Sequence, residues 1–410
     1  LGINYVASAS EHNYNIICYD ENKNLINKFI SNKIPISEPR LSKLLNKNKK
    51  KIIFTNNIKD IYNCKIVFIS YDISTDRKNK SDLVSITKTI NKVISYMNNS
   101  ALLVILSQVP PGFTRKINWP KSKLFYQVET LVYGKAIERA LNPERLIIGC
   151  SNPKIKLHRK LNNFYKLYKA PIIKMSYESA ELTKISINMY LISSVITTNK
   201  IAEICEKLGA NWSDIIPALQ LDSRIGKYAY LKPGLGISGG NLERDLSTIS
   251  KINKNYNLDN SLFQSWSKIS KYKKNWAWQK LRGFFLKNSM NFQICILGLS
   301  YKEGTDSIKN SPALELLKKI KNKKVLVYDP KVKLNNKSNN FIQVNSATKA
   351  IKNSDVLLIM TPWPEFKKIT AKKLLENMNR KIVIDPYYIL REQKLSKKGF
   401  EYFAIGESFY

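Results

Sequence analysis

The feature that most constrains this chain is a repeated alternation of short, continuous apolar runs with polar segments of helical spacing. In the first 175 residues the runs are Asn15–Asp20, Lys51–Asn56, Lys65–Ser70, Ala101–Ser107, Lys123–Val128, Arg145–Cys150 and Pro171–Ser176. Runs of this kind, rich in Ile and Val, are strands covered on both faces. The helices between them supply the covering layers and the crossovers that parallel strands need. The pattern predicts a doubly wound α/β domain.

From Ser179 to about Leu208 the period becomes helical. Leu182, Ile185, Ile187, Leu191, Val195, Ile201 and Ile204 recur at spacings near three and four, and no Pro or Gly intervenes before Gly209. The spacing predicts one helix of roughly 30 residues, long enough to link two domains and to carry a dimer face. More helix follows, broken by the Gly-rich segment Gly234–Gly240. Near Asn291 the alternation returns, with runs at Phe292–Leu297, Lys324–Tyr328, Asp355–Met360 and Lys381–Asp385 and a helical stretch at Pro312–Ile320. The expected architecture is α/β: two Rossmann-like doubly wound domains joined by a long central helix and a helical dimerisation segment. Its bounds are 1–178, 179–285 and 286–410. Lys/Asn runs such as Asn46–Lys51 read as solvated loops.

Composition narrows the partners. Lys and Arg total 68 against 31 Asp and Glu, a formal charge of +37. The lysines are spread over the whole chain, with Asn, Ile and Tyr abundant beside them, which reads as codon bias rather than a basic stripe. No zinc-finger or RNP-type motif accompanies them, so a nucleic-acid partner is not expected. The field still favours an anionic substrate such as a diphosphate. No apolar run approaches the roughly 20 residues of a membrane span, and no signal peptide is evident. The chain opens on Leu1 rather than Met, which suggests that the natural start lies upstream. Five scattered cysteines, Cys18, Cys64, Cys150, Cys205 and Cys295, have no metal-ligand spacing and fit a reducing cytoplasm. Cys18, Cys150 and Cys295 read as buried strand thiols, and His12 and His158 as surface residues. No metal is expected.

A dinucleotide fold needs a Gly-rich turn that opens a helix, then a strand ending in a carboxylate about 20 residues on. Gly2 opens the helix-like segment Asn4–Glu11, and the strand Asn15–Tyr19 ends in Asp20, 18 residues after Gly2. Gly2 and Asp20 suit the last glycine of the fingerprint and the carboxylate that holds the adenosine ribose. The first strand and earlier glycines would then precede Leu1. Gly234-Leu-Gly236-Ile-Ser-Gly239 matches G-x-G-x-x-G literally, but no strand precedes it and no strand with a terminal acid follows. It reads as a flexible turn that lets backbone approach a ligand.

Several segments, in order along nearly the whole chain, resemble the UDP-glucose/GDP-mannose dehydrogenase family. Pro35-Ile-Ser-Glu38-Pro39-Arg-Leu41 resembles its P-I-x-E-P-x-L, and Ser107-Gln-Val-Pro110-Pro-Gly112 its S-T-V-P-x-G. Glu129 to Gly149 resembles the N-P-E-F-L-x-E-G block and its P-x-R-x-x-x-G ending, with Gln127-Val128 for Asn-Pro and Tyr133 for the second Glu. Ser179-Ala-Glu181-Leu-Thr-Lys184 with Asn188 resembles S-A-E-x-x-K-x-x-x-N. Arg224-Ile-Gly226 resembles R-I-G, and Gly234 to Asp245 resembles G-x-G-F-G-G-S-C-F-P-K-D. Leu297 to Lys302, Thr305-Asp306, Ser311-Pro312, Tyr328-Asp329-Pro330 and Thr361 to Phe366 resemble L-G-L-x-F-K, T-D, S-P, Y-D-P and T-x-W-x-E-F.

The resemblance implies two successive hydride transfers to NAD that turn the C6 alcohol of a nucleotide sugar into a carboxylate, in a cytoplasmic homodimer. It implies a UDP-sugar, UDP-glucose first, and a role in surface polysaccharide synthesis. Lys184 and Asp245 match the residues for the first transfer, with Asn188 as a neutral donor. Without these neighbours Lys184 reads as a surface lysine, and Asp245 could equally cap the helix it opens. Glu129 matches the acid/base of the hydrolytic half. The cysteine that would form a thiohemiacetal falls on Asn241, which has no nucleophile. Ser107 and Lys309, the latter in place of an Arg, match coenzyme contacts beside Gly2 and Asp20. Arg224, Tyr230, Leu231, Lys232, Gly236 and Lys302 match substrate contacts. Asp385-Pro-Tyr-Tyr388 lacks the Arg of the family's D-G-R. The departure at Asn241 leaves two other readings: a dehydrogenase that stops at the aldehyde, and a sugar-binding homologue without catalysis.

Overall fold

The computed structural model describes residues 1–12, 14–36, 38–76, 81–287, 292–320, 323–334 and 341–408. Ser37 of the Pro35–Leu41 motif and Asn291 lie outside them. The chain divides into two compact units, Leu1–Ile187 and Asn188–Tyr410.

In the first unit every expected apolar run is a strand: β1 (Ile16–Tyr19), β2 (Ile52–Thr55), β3 (Ile66–Ile69), β4 (Leu102–Ile105), β5 (Leu124–Gln127), β6 (Leu146–Cys150) and β7 (Ile172–Ser176). Between them lie α1 (Gly2–Glu11), α2 (Lys23–Ile30), α3 (Leu41–Lys47), α4 (Leu83–Tyr96), α5 (Ala136–Leu141) and α6 (Arg159–Lys166). Two details differ from a single parallel sheet. Among the described residues, β1 and β2 pair only with each other, and β3–β4–β5–β6–β7 form a separate sheet. β6 runs antiparallel to β5, because the only helix between them, α5, packs on α1 rather than crossing the sheet; Ser8 Oγ donates to Ala140 O at 2.8 Å. The strand β4, Leu102 to Ile105, is fully buried, as continuous apolar runs require.

Three smaller expectations are corrected. Asn46–Lys51 is not a loop: it ends α3 and forms a 3₁₀ turn, Lys49–Lys51. His12 is half-buried, edge-on to Tyr168 at 4.6 Å. His158 is also half-buried and caps α6, Nδ1 accepting the Lys160 N–H at 3.3 Å.

The expected long helix is α7 (Tyr177–Leu208), 32 residues without a break. Its residues from Asn188 onward belong to the second unit, with α8 (Trp212–Leu221), α9 (Asn241–Asn255), α10 (Ser261–Lys274) and α11 (Trp276–Lys287). A six-stranded, all-parallel sheet completes that unit in the order β10–β9–β8–β11–β12–β13. Its strands are β8 (Gln293–Leu297), β9 (Lys324–Tyr328), β10 (Ile342–Gln343), β11 (Ser354–Ile359), β12 (Met378–Ile384) and β13 (Glu401–Phe403). The expected helix at Pro312–Ile320 is α12 (Pro312–Lys319), opened by Pro in its first turn, where the missing N–H costs nothing. β10 and β13, two and three residues long, were not anticipated: they are too short to leave an apolar run.

Candidate active site

In the first unit, Glu129 follows the end of β5 and Lys184 sits in the second turn of α7. Lys184 Nζ lies 3.4 Å from Glu129 Oε2, with side chains only 12% and 17% exposed. The other Glu129 oxygen accepts the Leu131 N–H, so the carboxylate is fixed in its own turn. Two more carboxylates brace the surrounding loops. Glu181, fully buried on α7, accepts the N–H groups of Gly112 at 2.5 Å and Thr114 at 2.8 Å. Burial pushes its pKa up in spite of those bonds. Glu38 accepts the N–H groups of Gly134 at 2.9 Å and Ala136 at 2.8 Å, fixing the turn downstream of Glu129. The sequence showed both only as motif letters. Their bracing role needs the partner N–H groups, which lie 67 to 98 positions away.

Three of the expected coenzyme residues, Gly2, Asp20 and Ser107, lie in the same unit. A Cβ on Gly2 would collide with Ser70 Oγ just beyond β3, so any larger residue here would have to turn that hydroxyl aside for α1 to begin this close to the strand end. Asp20 follows β1, half-exposed; its N–H donates to Thr55 O at 3.2 Å and its Oδ1 accepts the Asn22 N–H at 2.8 Å. A helix N-terminus closing on a strand end, with a carboxylate after a strand, suits a dinucleotide's phosphates and ribose. Ser107 is fully buried, and its hydroxyl donates to Tyr71 O at 2.7 Å, tying the end of β4 to the loop after β3.

In the second unit, Asn188 lies one turn after Lys184 on α7. Its Nδ2 donates to Asp245 Oδ2, and Arg244 Nε lies 3.3 Å from Asp245 Oδ1. Asp245 is 2% exposed, with a charged or polar group on each oxygen. It does not cap α9: the helix begins four residues earlier, at Asn241, after Gly240. Sequence reading passed over Arg244, whose signal was its place beside Asp245 in the motif.

Asn241 is exposed at the first position of α9. The turn before it depends on glycines of positive φ. A Cβ on Gly236 (φ 72°) would meet Ser270 O at 2.6 Å, and one on Gly239 (φ 84°) the Tyr301 ring at 2.6 Å. Lys309 is in this unit, not with Gly2, Asp20 and Ser107, and its side chain passes over Gly240. Lys302 Nζ sits 5.7 Å from the Tyr301 ring centre. The strap of Tyr230, Leu231 and Lys232 is pinned by its backbone. Tyr230 O accepts the Thr198 hydroxyl at 3.0 Å, and Leu231 O accepts Trp212 Nε1–H at 2.7 Å. The Tyr230 and Lys232 side chains are exposed. Arg224 stands 88% exposed, paired with Asp222 at 2.6 Å.

Burial pushes Cys18 up to about 12 and raises Cys64, Cys150, Cys205 and Cys295 as well, away from the thiolate a nucleophile needs. Among the described residues, no cluster of three His, Cys, Asp or Glu is placed to hold a metal, and no helix is long and apolar enough to cross a membrane.

Comparison with known proteins identifies the family. Residues 1–170 match the NAD binding domain of the UDP-glucose/GDP-mannose dehydrogenase family, 178–272 its central domain and 295–392 its UDP binding domain. The chain is 30% identical over 415 residues to the UDP-glucose 6-dehydrogenase of Rickettsia typhi, covering 96% of this chain and 94% of that protein. It is 26% identical over 431 residues to UDP-glucose 6-dehydrogenase TuaD of Bacillus subtilis, covering 99% and 92%. A UDP-D-ManNAc dehydrogenase structure from Pyrococcus horikoshii shares the fold with a TM-score of 0.86 at 24% identity, covering 99% of this chain and 96% of that one. The chain belongs to the UDP-glucose/GDP-mannose dehydrogenase family and is an NAD-dependent oxidoreductase.

Proposed function

We propose that this protein oxidises the C6 alcohol of a UDP-sugar, UDP-glucose first among them, as a cytoplasmic homodimer that supplies surface polysaccharide synthesis. The observation that carries the reading is the buried Asn188–Asp245 pair, with Lys184 one turn earlier on the same helix. NAD, when bound, would supply the hydride acceptor. Asp245, steadied by Asn188 and Arg244, accepts the hydroxyl proton directly or through one water. Lys184 supplies the cation for the developing alkoxide, its charge balanced at rest by Glu129. Gly2 and Asp20 hold the coenzyme. Tyr230, Leu231, Lys232, Gly236 and Lys302 hold the nucleotide sugar, Arg224 reaches the substrate of the neighbouring subunit, and Ser107 and Lys309 complete the contacts. Exposed Tyr190, Leu208, Leu221 and Tyr228 on and near α7 and α8 support a dimer face, and five unpaired cysteines support a reducing compartment.

Asn241 favours a second reading for the later half of the reaction. An amide forms no thiohemiacetal, so the aldehyde or its hydrate is released after one oxidation. The experiment is a panel of UDP- and GDP-sugars with NADH counted per sugar and product mass recorded. Two NADH support complete oxidation and one supports the aldehyde stop; no NADH with any sugar rejects the proposal.

A further inference from the structure

The turn Gly239–Glu243 and the loop Tyr301–Ser311 are locked together by contacts that none of the roles above uses. Glu243, the third residue of α9, accepts from Lys274 Nζ at the end of α10 at 2.6 Å and from Asn310 Nδ2. Asn310 holds a left-handed backbone, φ 54°, and its amide also donates to Gly239 O at 3.0 Å. The Lys274 side chain is 6% exposed and has a second carboxylate, Glu315, at 3.7 Å. Gly240 has no side chain, and Lys309 fills that space: its Cδ and Nζ lie 3.2 and 3.4 Å from where a Cβ would stand.

The motif that this segment resembles carries Ser, Cys and Pro at the positions of Gly240, Asn241 and Glu243. These three departures fall within one helical turn, beside a milder one (Leu242 for Phe), and the structure connects them. The missing side chain at 240 admits Lys309. The carboxylate at 243 anchors Asn310, the residue next to Lys309. We propose that Glu243 is a positioning residue which, through Asn310, holds the Lys309 ammonium against the first turn of α9 beside Asn241. Its consequence for turnover rests on the assignment of Asn241 to the reaction centre; the placement itself does not.

A plain stabilising role, neutralisation of buried Lys274, is the competing account, so the test reads the position of the Lys309 charge. The thiol introduced by N241C reports it, because a nearby cation and a helix N-terminus lower a thiol pKa from about 8.5. Pro is tolerated in the first turn of a helix, so E243P removes the carboxylate with the helix start intact. Glu315 stays near Lys274. N310G removes the amide while suiting the left-handed backbone, and it serves should E243P fail to fold. Alkylation at position 241 is followed against pH by mass spectrometry of its peptide. In N241C alone the apparent pKa should lie below the ordinary value. Adding E243P or N310G should raise it by about one unit. K309M should raise it equally, with E243P adding nothing on top. An unchanged profile in both E243P and N310G, or a further rise of E243P on K309M, overturns the proposal. The readout needs no turnover, so a protein that forms no NADH would sink the functional reading and leave this test standing.

Discussion

Lys184 sits in a largely shielded place with the Glu129 carboxylate opposite it. Lys184→Ala should cut NADH formation by about 10²–10³ in a single turnover, the usual loss for one charge-assisted contact to an oxyanion. NAD binding, which rests on other residues, should persist. NADH formation at the native rate would remove Lys184 from the mechanism. The second residue-scale expectation concerns Asn241. Native protein should release aldehyde, and Asn241→Cys should restore a slow second oxidation, seen as uronic acid in the product mass. Rescue should be partial, because Tyr133 stands where the motif has a second carboxylate. Stoichiometric uronic acid from the native protein would show that Asn241 does not block the reaction.

At the scale of elements, α7 matters most: its Lys184 and Asn188, four residues apart, share one face because the helix runs unbroken. Such helices need an interior anchor, and buried Ile185, Ile192, Ile196 and Ala202 provide it. The end of β12 carries a different device. Asp385 is fully buried, accepting the Leu390 N–H at 3.0 Å and the Tyr402 hydroxyl at 2.8 Å. Burial pushes its pKa up to about 6, against about 3.9 unfolded. A raised carboxyl pKa means that the folded state binds the proton more tightly. Stability from this group is therefore greatest below about pH 4 and falls as pH rises to about 6, by up to roughly 3 kcal/mol. Asp385→Asn should remove that decline. Urea midpoints of both proteins from about pH 4 to 7 test it; parallel curves would rule the group out. Glu181 and Glu407 are shifted the same way, so the difference between the two proteins isolates Asp385.

At the scale of the whole molecule, the expectation is association. Tyr190 is 78% exposed on α7 and Leu221 86% exposed at the end of α8, large apolar side chains that a partner chain would cover. Sedimentation should give twice the 47.2 kDa chain mass. Tyr190→Glu with Leu221→Glu should shift the species to one chain. A native monomer at micromolar concentration would reject the dimer. The sequence by itself determined the kinds and order of the elements. Apolar runs and helical spacing are local, written within a few residues, and so seven strands of the first unit, the length of α7 and the parallel sheet of the second were legible. It also determined which side chains are available for chemistry, including the absence of a thiol at 241. Only the tertiary structure decided pairings. β6 reverses against β5, and β1 and β2 stand apart from β3–β7, because strand direction and partner are set by non-local hydrogen bonds. Lys184 meets Glu129 across 55 positions and Asn188 meets Asp245 across 57. Lys309 lies over Gly240 and Glu243 between Lys274 and Asn310 for the same reason: a charge takes the partner that packing brings within reach, and no local pattern encodes that choice.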